Sequence, residues 1–365
     1  MVMAAAASPP VSAELIFNGG TDVLSAVLEY GYAYDSNLFS QAGGQGDYSH
    51  SLSFSADYSR RAGLIGVEAS AALLMARFRE LTDEDYNNPS LKLEFKKEKG
   101  RLTGSAGLSV KRENRSEVAI NVRTDSWNHE SNLDLRYPIN DRYYFKSESA
   151  YSRVDYRDNR ALHDLDSWSE SIDVFYVYSS KLDLTGGYRF RTGLASGGAR
   201  TVDHALMLGA ANDILPKLNG TVQVGYQWRS EHGSGRGDFG AFTADVSLTW
   251  PVTKRLTLKG VAAKDYTTAA TDISVDVGAV SFSATLSPAT RLSIDLGVSY
   301  SVSDFLGVRG GNREDRALSG RTEFRYAISS KISASLSYMK SRNDSNNAFS
   351  DFARHLASIT VKARF

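Results

Sequence analysis

The chain of 365 residues contains no cysteine. That excludes a disulfide framework, a thiolate metal site and a cysteine nucleophile. No excess of charge of either sign exists, since 42 Lys and Arg balance 42 Asp and Glu. A nucleic-acid partner therefore lacks the basic surface that displaces counterions from phosphates. Proline is scarce, at seven residues. Nothing approaches the ~18 consecutive apolar residues of a membrane helix, and the mean hydropathy is −0.32. A hydropathy window reads such a chain as soluble. One class of membrane protein escapes that window, because its spanning strands give every second residue to a polar face.

What is abundant points to strands and turns: 19 Tyr, 16 Phe and 30 Gly, with many serines and no convincing helix beyond the first dozen residues. From Asp47 to Ser59, Tyr48, His50, Leu52, Phe54, Ala56 and Tyr58 share one face of an extended strand, and Ser49, Ser51, Ser53, Ser55, Asp57 and Ser59 share the other. Side chains alternate with period two along a strand. Here the alternation persists for about a dozen residues, where ordinary strands average about five or six. It recurs on 24–34, 168–178, 218–229, 292–303 and 318–328, and in the last residues, where Ala357, Ile359, Val361, Ala363 and Phe365 oppose Ser358, Thr360, Lys362 and Arg364. Glu170 interrupts the apolar side of its segment.

Tight turns are expected at 59–63, 138–141, 179–181, 216–217, 251–254, 287–290 and 329–331. Longer polar loops are expected at 36–46, 80–90, 157–166, 193–201, 230–238, 304–315 and 341–351. Short turns on one side and long loops on the other are the asymmetry of an outer-membrane barrel. The pattern predicts an all-β chain folded as a transmembrane antiparallel up-and-down β-barrel of about eighteen strands, with sixteen the alternative. An even count leaves both termini on the periplasmic side. Residues 1–20 form a pre-barrel segment, with Val11-Ser12-Ala13 an acceptable cleavage site, and 21–365 the barrel. Alternation is poor over 202–212, 256–263 and 273–286, with an expected bulge near Gly278, and Glu113–Thr124 reads equally as loop or strand. A β-propeller would divide each repeat among four short strands, and sandwich strands seldom alternate for so long.

Aromatics sort to the strand ends. Tyr34, Tyr48, Trp127, Trp168 and Trp228 fall at loop ends; Tyr58, Tyr137, Tyr143, Tyr178 and Trp250 fall at turn ends. Amphipathic rings collect in this way at headgroup level. The six histidines, His50, His129, His163, His204, His232 and His355, are scattered, with His50 and His129 expected on the lipid-facing side and His163 and His232 in loops.

The stretch Glu29-Tyr30-Gly31-Tyr32-Ala33-Tyr34-Asp35-Ser36-Asn37-Leu38-Phe39 resembles the opening, Tyr-Asp-x-Asn-hydrophobic-Phe, of an outer-membrane β-barrel porin family. Members of that family often occur beside exopolysaccharide-biosynthesis genes. The ending Ala363-Arg364-Phe365 is similar to the signature read by the barrel-assembly machinery, with Phe365 as the assembly signal. Together these cover about fifteen residues, and architecture carries the remainder. The resemblance implies a conduit, with outer-membrane lipids, the assembly machinery, periplasmic polysaccharide-export proteins and a polysaccharide cargo as partners.

No catalytic constellation, metal site or cofactor motif is evident, and the chain reads as a channel rather than an enzyme. Asp83-Glu84-Asp85 lacks calcium-loop spacing, and Arg236-Gly237-Asp238 reads as turn chemistry. An eighteen-strand wall is roughly 35 Å across, too wide for side chains to fill. A water-filled lumen narrowed by an inward loop follows. Its expected lining is Asp57, Lys92, Glu94, Lys96, Glu130, Asp134, Arg136, Asp173, Asp183, Arg189, Arg191, Arg229, Asp245, Asp295, Arg321, Glu323 and Arg325. That mixture of signs argues against strong charge selection. Serine-rich walls at 49–59, 293–303 and 333–337 add hydroxyls, while inward aromatics reduce to Tyr144 and Phe175. Passive polysaccharide export, general solute uptake and a surface adhesion barrel are the three functions compatible with this reading.

Overall fold

The computed structural model describes residues 14–61, 63–117, 122–157, 162–233, 237–307 and 312–365. A short strand β1 (Glu14–Phe17) precedes β2 (Asp22–Asp35), β3 (Asp47–Arg60), β4 (Gly66–Phe78), β5 (Tyr86–Lys97), β6 (Thr103–Glu117) and β7 (Val122–Pro138). Then come β8 (Tyr143–Arg157), β9 (Leu165–Val177), β10 (Leu182–Ala195), β11 (Arg200–Leu215), β12 (Leu218–His232) and β13 (Phe239–Pro251). The last are β14 (Leu256–Thr268), β15 (Ser274–Ala289), β16 (Leu292–Phe305), β17 (Arg313–Ala327), β18 (Ile332–Ser345) and β19 (Phe352–Arg364). Each strand from β2 onward pairs antiparallel with the next, and β19 closes on β2 from Leu356↔Asp35 to Arg364↔Val27. The barrel is closed and has eighteen strands.

The seam is finished by the chain end itself. Phe365 N–H donates to Ala26 O at 2.8 Å, and Ala26 N–H donates to Phe365 O at 3.0 Å. Below that point the same edge of β2 is taken by β1, from Glu14↔Ser25 to Phe17↔Asp22. Covering the edge leaves no open row of backbone donors, which lipid would not satisfy. The cleavage site expected at 11–13 lies outside the described residues.

The strands run 12 to 17 residues from β5 to β7, long enough to cross a bilayer at a tilt. Residues opposite one another in a ladder share a face, so one register fixes the orientation of the whole wall. The row Leu28↔Phe54↔Leu73 is apolar and exposed, while Glu29↔Ser53 lies on the other side. The fold is thereby inside out. Leu208 is 69% exposed and Phe282 65%, whereas Gln227 and Arg229 are 0% and 2% exposed. Apolar rows meet lipid, and polar rows meet one another across the lumen. Glu170 is the outward exception noted in the sequence; it faces Ser149 and Phe190 in register and accepts from Ser147 Oγ at 2.7 Å.

Several boundaries differ from expectation. The loop expected at 80–90 ends at Asp85, since Tyr86–Ser90 belong to β5. Those expected at 193–201 and 341–351 shrink to 196–199 and 346–351, because β10, β11 and β18 extend past the apolar band. The turns expected at 59–63 and 287–290 likewise give Ser59 and Arg60 to β3 and Ser287–Ala289 to β15. His232 is the last residue of β12 and pairs with Arg200 rather than lying in a loop. Glu113–Glu117 and Val122–Thr124 continue β6 and β7 as paired strands.

The bulge expected near Gly278 is absent. β15 keeps regular register through Lys264↔Gly278↔Val302, and its irregularity falls between Leu286 and Ala289. The change of phase before Gly278 has another cause. β13 and β14 pair only from Pro251↔Thr257 up to Ala244↔Lys264, although β13 continues to Phe239 opposite Arg229. Above Lys264, β14 leaves the wall with β15 still paired to it, and its side chains no longer divide between lipid and water.

Candidate channel lumen and its inward hairpin

Every charged residue expected to line the lumen lies on an inward row. On β3–β5, Asp57 stands between Ser25 and Ser70 in register. Lys96 Nζ lies 2.7 Å from Glu68 and 3.4 Å from Glu94, and Lys92 lies 3.0 Å from Glu94. On β7, Glu130 accepts from Ser109 Oγ at 3.4 Å, Asp134 accepts from Asn132 Nδ2 at 2.9 Å, and Arg136 covers the Tyr144 ring at 4.1 Å. Asp183 accepts from Tyr144 Oη at 2.7 Å. Asp173 on β9 accepts from Gln223 Nε2 on β12 at 3.2 Å, a contact between non-adjacent strands that only inward side chains can make, and Asp245 faces Gln223 in register. On β16 and β17, Arg321 and Arg325 flank Glu323 at 2.6 and 2.7 Å, with Asp295 3.8 Å from Arg325.

The remaining three arginines hold the displaced hairpin. Arg189 Nη2 meets Asp265 Oδ1 at 2.8 Å. Arg191 Nε meets Asp203 at 2.7 Å, Nη1 meets Asp265 at 3.1 Å, and Nη2 donates to the Tyr266 carbonyl at 2.7 Å. Arg229 grips Asp203 bidentately at 2.6 and 2.7 Å. Its Nη1 donates to the Thr267 carbonyl at 2.8 Å and to Ser274 Oγ at 3.0 Å. Ser274 Oγ donates in turn to Glu231. The Arg229 guanidinium also lies 5.2 Å from the Tyr266 ring centroid. Paired, hydrogen-bonded burial is the condition under which charges are tolerated away from water. The hairpin tip extends further, since Ala270 O accepts from the His163 backbone N–H at 2.8 Å in the β8–β9 loop.

Sequence reading named Arg189, Arg191 and Arg229 as lumen lining but not their partners Asp203, Asp265, Tyr266, Ser274 and Glu231. Asp265 lies four residues before the five-residue tip 269–273, which shows no sequence feature of an inward loop. The inward aromatics are also more numerous than expected. Tyr144 and Phe175 do stack, with centroids 4.6 Å apart and planes at 5°, and Tyr266 against Phe239, and Phe305 under Arg313, join them near the loop end.

A second approach comes from the β6–β7 hairpin. Ser116 Oγ donates to the Leu38 carbonyl in the β2–β3 loop at 2.7 Å, and Arg123 reaches Glu84 at 3.0 Å while lying over the Phe78 ring. Asp85 accepts from the Phe78 backbone N–H at 2.7 Å. Glu84 and Asp85 are thus committed to contacts within the mouth. No group of three or more His, Asp and Glu fit to hold a metal occurs among the described residues. Arg236 lies outside the described residues.

Between the inward hairpin and the facing walls lies a chamber of about 600 Å³, lined by Arg191, Arg229 and Tyr266 on one side and by Ser301, Ser303 and Asn343 on another. Hydroxyls form continuous rows on the arc from β16 to β19, where Ser299 pairs with Ser319 and Ser337 with Ser358, both at 2.7 Å. The lumen is therefore mixed: serine rows on β16–β19 run beside the Arg321–Glu323–Arg325 cluster of the same arc, and the Arg189, Arg191 and Arg229 group stands on β10 and β12.

The outer surface carries the expected aromatics. Tyr34 packs on Tyr48 at 4.7 Å, Trp168 on Phe190 at 5.7 Å, Tyr137 on Phe145 at 5.7 Å and Tyr143 on Tyr176 at 5.2 Å. Trp127 shares an outward row with Arg112 and Asp155. Tyr178 and Trp250 are exposed at the turn end, and Tyr58 stacks on Phe17 of β1. Trp228 lies against His204 at 5.7 Å. Three histidines there accept or donate through Nδ1 to a tyrosine hydroxyl: His50 with Tyr30 and His204 with Tyr188 at 2.6 Å, His355 with Tyr338 at 2.7 Å.

A closed ring of eighteen long strands, greasy outside and charged within, with a hairpin folded into the lumen, is the fold of an outer-membrane β-barrel porin, a class of channels. Residues 202–365 match the sequence family described as "Putative beta-barrel porin 2". No curated protein sequence matches the chain. Among solved structures the chain is similar to Pseudomonas aeruginosa OccK2 (OpdF) in complex with glucuronate, at 11% identity and a TM-score of 0.51, over 94% of this chain and 98% of that one. It is similar to Pseudomonas aeruginosa OpdO at 13% identity and a TM-score of 0.51, over 94% and 97%. Acinetobacter baumannii OccAB4 matches at 14% identity and a TM-score of 0.50, over 98% and 100%. At such identities the likeness establishes the fold and leaves the cargo to the lumen's own chemistry.

Proposed function

We propose that this chain is a passive outer-membrane conduit for carbohydrate, and that an exopolysaccharide strand leaving the cell is its cargo. The observation that carries the reading is a lumen that sets rows of serine hydroxyls beside arginines already paired with carboxylates. Serine hydroxyls along β16–β19 exchange hydrogen bonds with sugar hydroxyls without holding them, and the paired arginines and carboxylates of the wall present no single sign of charge to trap a sugar acid. No nucleotide-binding motif is present in the sequence, so movement is driven by polymerisation or by periplasmic partners. In this arrangement the long loops face outward and both termini face the periplasm, where polysaccharide-export proteins dock. Assembly proceeds through the barrel-assembly machinery, with Phe365 as its signal.

A second reading, uptake of small solutes, is favoured by the pinned β14–β15 hairpin, which takes up lumen space that a polymer needs. Planar-bilayer recording separates the two. A polysaccharide conduit shows current blocks by long oligosaccharides that scale with their length, and deletion of the gene lowers surface polysaccharide. An uptake porin excludes oligosaccharides, passes mono- and disaccharides in liposome swelling, and leaves surface polysaccharide unchanged when deleted. Absence of any conductance from the folded protein refutes both.

A further inference from the structure

A furrow of about 720 Å³ crosses the lipid-facing surface between β13 and β18. Its floor follows a hydrogen-bonded row, Trp250↔Leu258↔Ala284↔Leu296↔Thr322↔Tyr338. The next row toward the loops runs Gly260↔Phe282↔Val298↔Gly320↔Lys340, with Phe282 and Val298 as the furrow's rim and openings at the two glycines. A Cβ built on Gly320 meets nothing within 4 Å. Five strand-to-strand steps of ~4.8 Å make the furrow ~24 Å long. It also climbs: Trp250 is the residue before the last of β13 at the turn end, while Tyr338 is well up β18 toward the loops.

The upper end is where charge enters. Lys340 lies on the outward row between Gly320 and His355 and is exposed, with no hydrogen bond or ion pair among the described residues. Its cationic neighbours are already committed, Arg342 to Asp344 at 2.6 Å and Arg316 to Glu314. An apolar trench of this length rejects a water-soluble anion, and a lysine at its mouth favours a negatively charged head. We propose that the furrow binds one acyl chain of a phosphorylated glycolipid of the loop-side leaflet, lipid A in chemistry, with Lys340 on its phosphate. Lysine is suited to this as a compact point charge on a stem long enough to reach headgroup level.

Protein purified and delipidated in detergent, with folding confirmed by heat-modifiable migration on gels, is titrated with lipid A and separately with phosphatidylglycerol, and occupancy is read by native mass spectrometry. One lipid A is expected per barrel, with affinity at least tenfold above that for phosphatidylglycerol. Lys340→Gln and Gly320→Trp, which fills the open furrow, each lower occupancy about tenfold or more. Lys340→Arg retains it, as does Leu206→Ala on the far side of the barrel. Equal occupancy in the Lys340→Gln and Gly320→Trp variants, equal affinity for phosphatidylglycerol, or no lipid on the folded wild type overturns the proposal.

Discussion

Arg229→Ala should release the inward hairpin, and the structure sets the size of the effect. Arg229 contributes two hydrogen bonds directly to the hairpin, to the Thr267 carbonyl at 2.8 Å and to Ser274 Oγ at 3.0 Å. Hydrogen bonds from a charged donor are worth about 1.5–3 kcal/mol each. Asp203 keeps Arg191 at 2.7 Å after the substitution, so no carboxylate is left unpaired. The hairpin therefore loses about 3–6 kcal/mol of docking energy, which shifts its undocked population roughly 10²- to 10⁴-fold. Because the chain has no cysteine, a single thiol reports the change without background. Ala270 at the hairpin tip is 2% exposed, and an Ala270→Cys thiol reacts with a bulky maleimide only when the tip lifts. Labelling in the Arg229→Ala, Ala270→Cys double variant should be at least a hundredfold faster than in Ala270→Cys alone, with a matching rise in single-channel conductance. Equal labelling rates would refute the assignment of Arg229 as one of the hairpin's fasteners.

Other outcomes follow from the same geometry. Leu208→Arg places a charge on the outward row in the middle of β11, at a cost of about 2–4 kcal/mol; Ser299→Arg on the inward row should cost under about 1 kcal/mol. Urea titration of vesicle-inserted protein compares them, and equal costs would mean that the two faces are assigned wrongly. Gly225→Val brings its Cβ to 1.9 Å from the Leu206 carbonyl oxygen, so the β11–β12 backbones must part, lowering stability by about 1–3 kcal/mol. An unchanged unfolding midpoint contradicts that close approach. Acidic and basic side chains are interspersed on the lumen wall, as along β17 in Arg321-Glu323-Arg325, so neither ion should be strongly preferred. A reversal potential near the Nernst limit for either ion in a salt gradient would show that one sign dominates the constriction.

The period-two pattern settled by itself which side of the wall each residue of the regular strands occupies, because the pleat sends successive side chains to opposite faces whatever the partner strand. Asp57, Arg189, Glu323 and the outward Tyr34, Trp168 and Trp228 were legible for that reason. So was the number of strands, from the spacing of turns. The register of the closing seam was not legible: β19 and β2 join residues over three hundred positions apart, and no local pattern encodes which of them pair. The hairpin was hidden for a different reason. Asp265, Tyr266 and Ser274 meet Arg189, Arg191, Arg229, Phe239 and Glu231 of other strands, so neither lipid nor water imposes an alternation on them. Where a strand's surroundings come from distant chain, only the three-dimensional arrangement of those neighbours decides what it does, and here it decided that β14 leaves the wall and narrows the lumen.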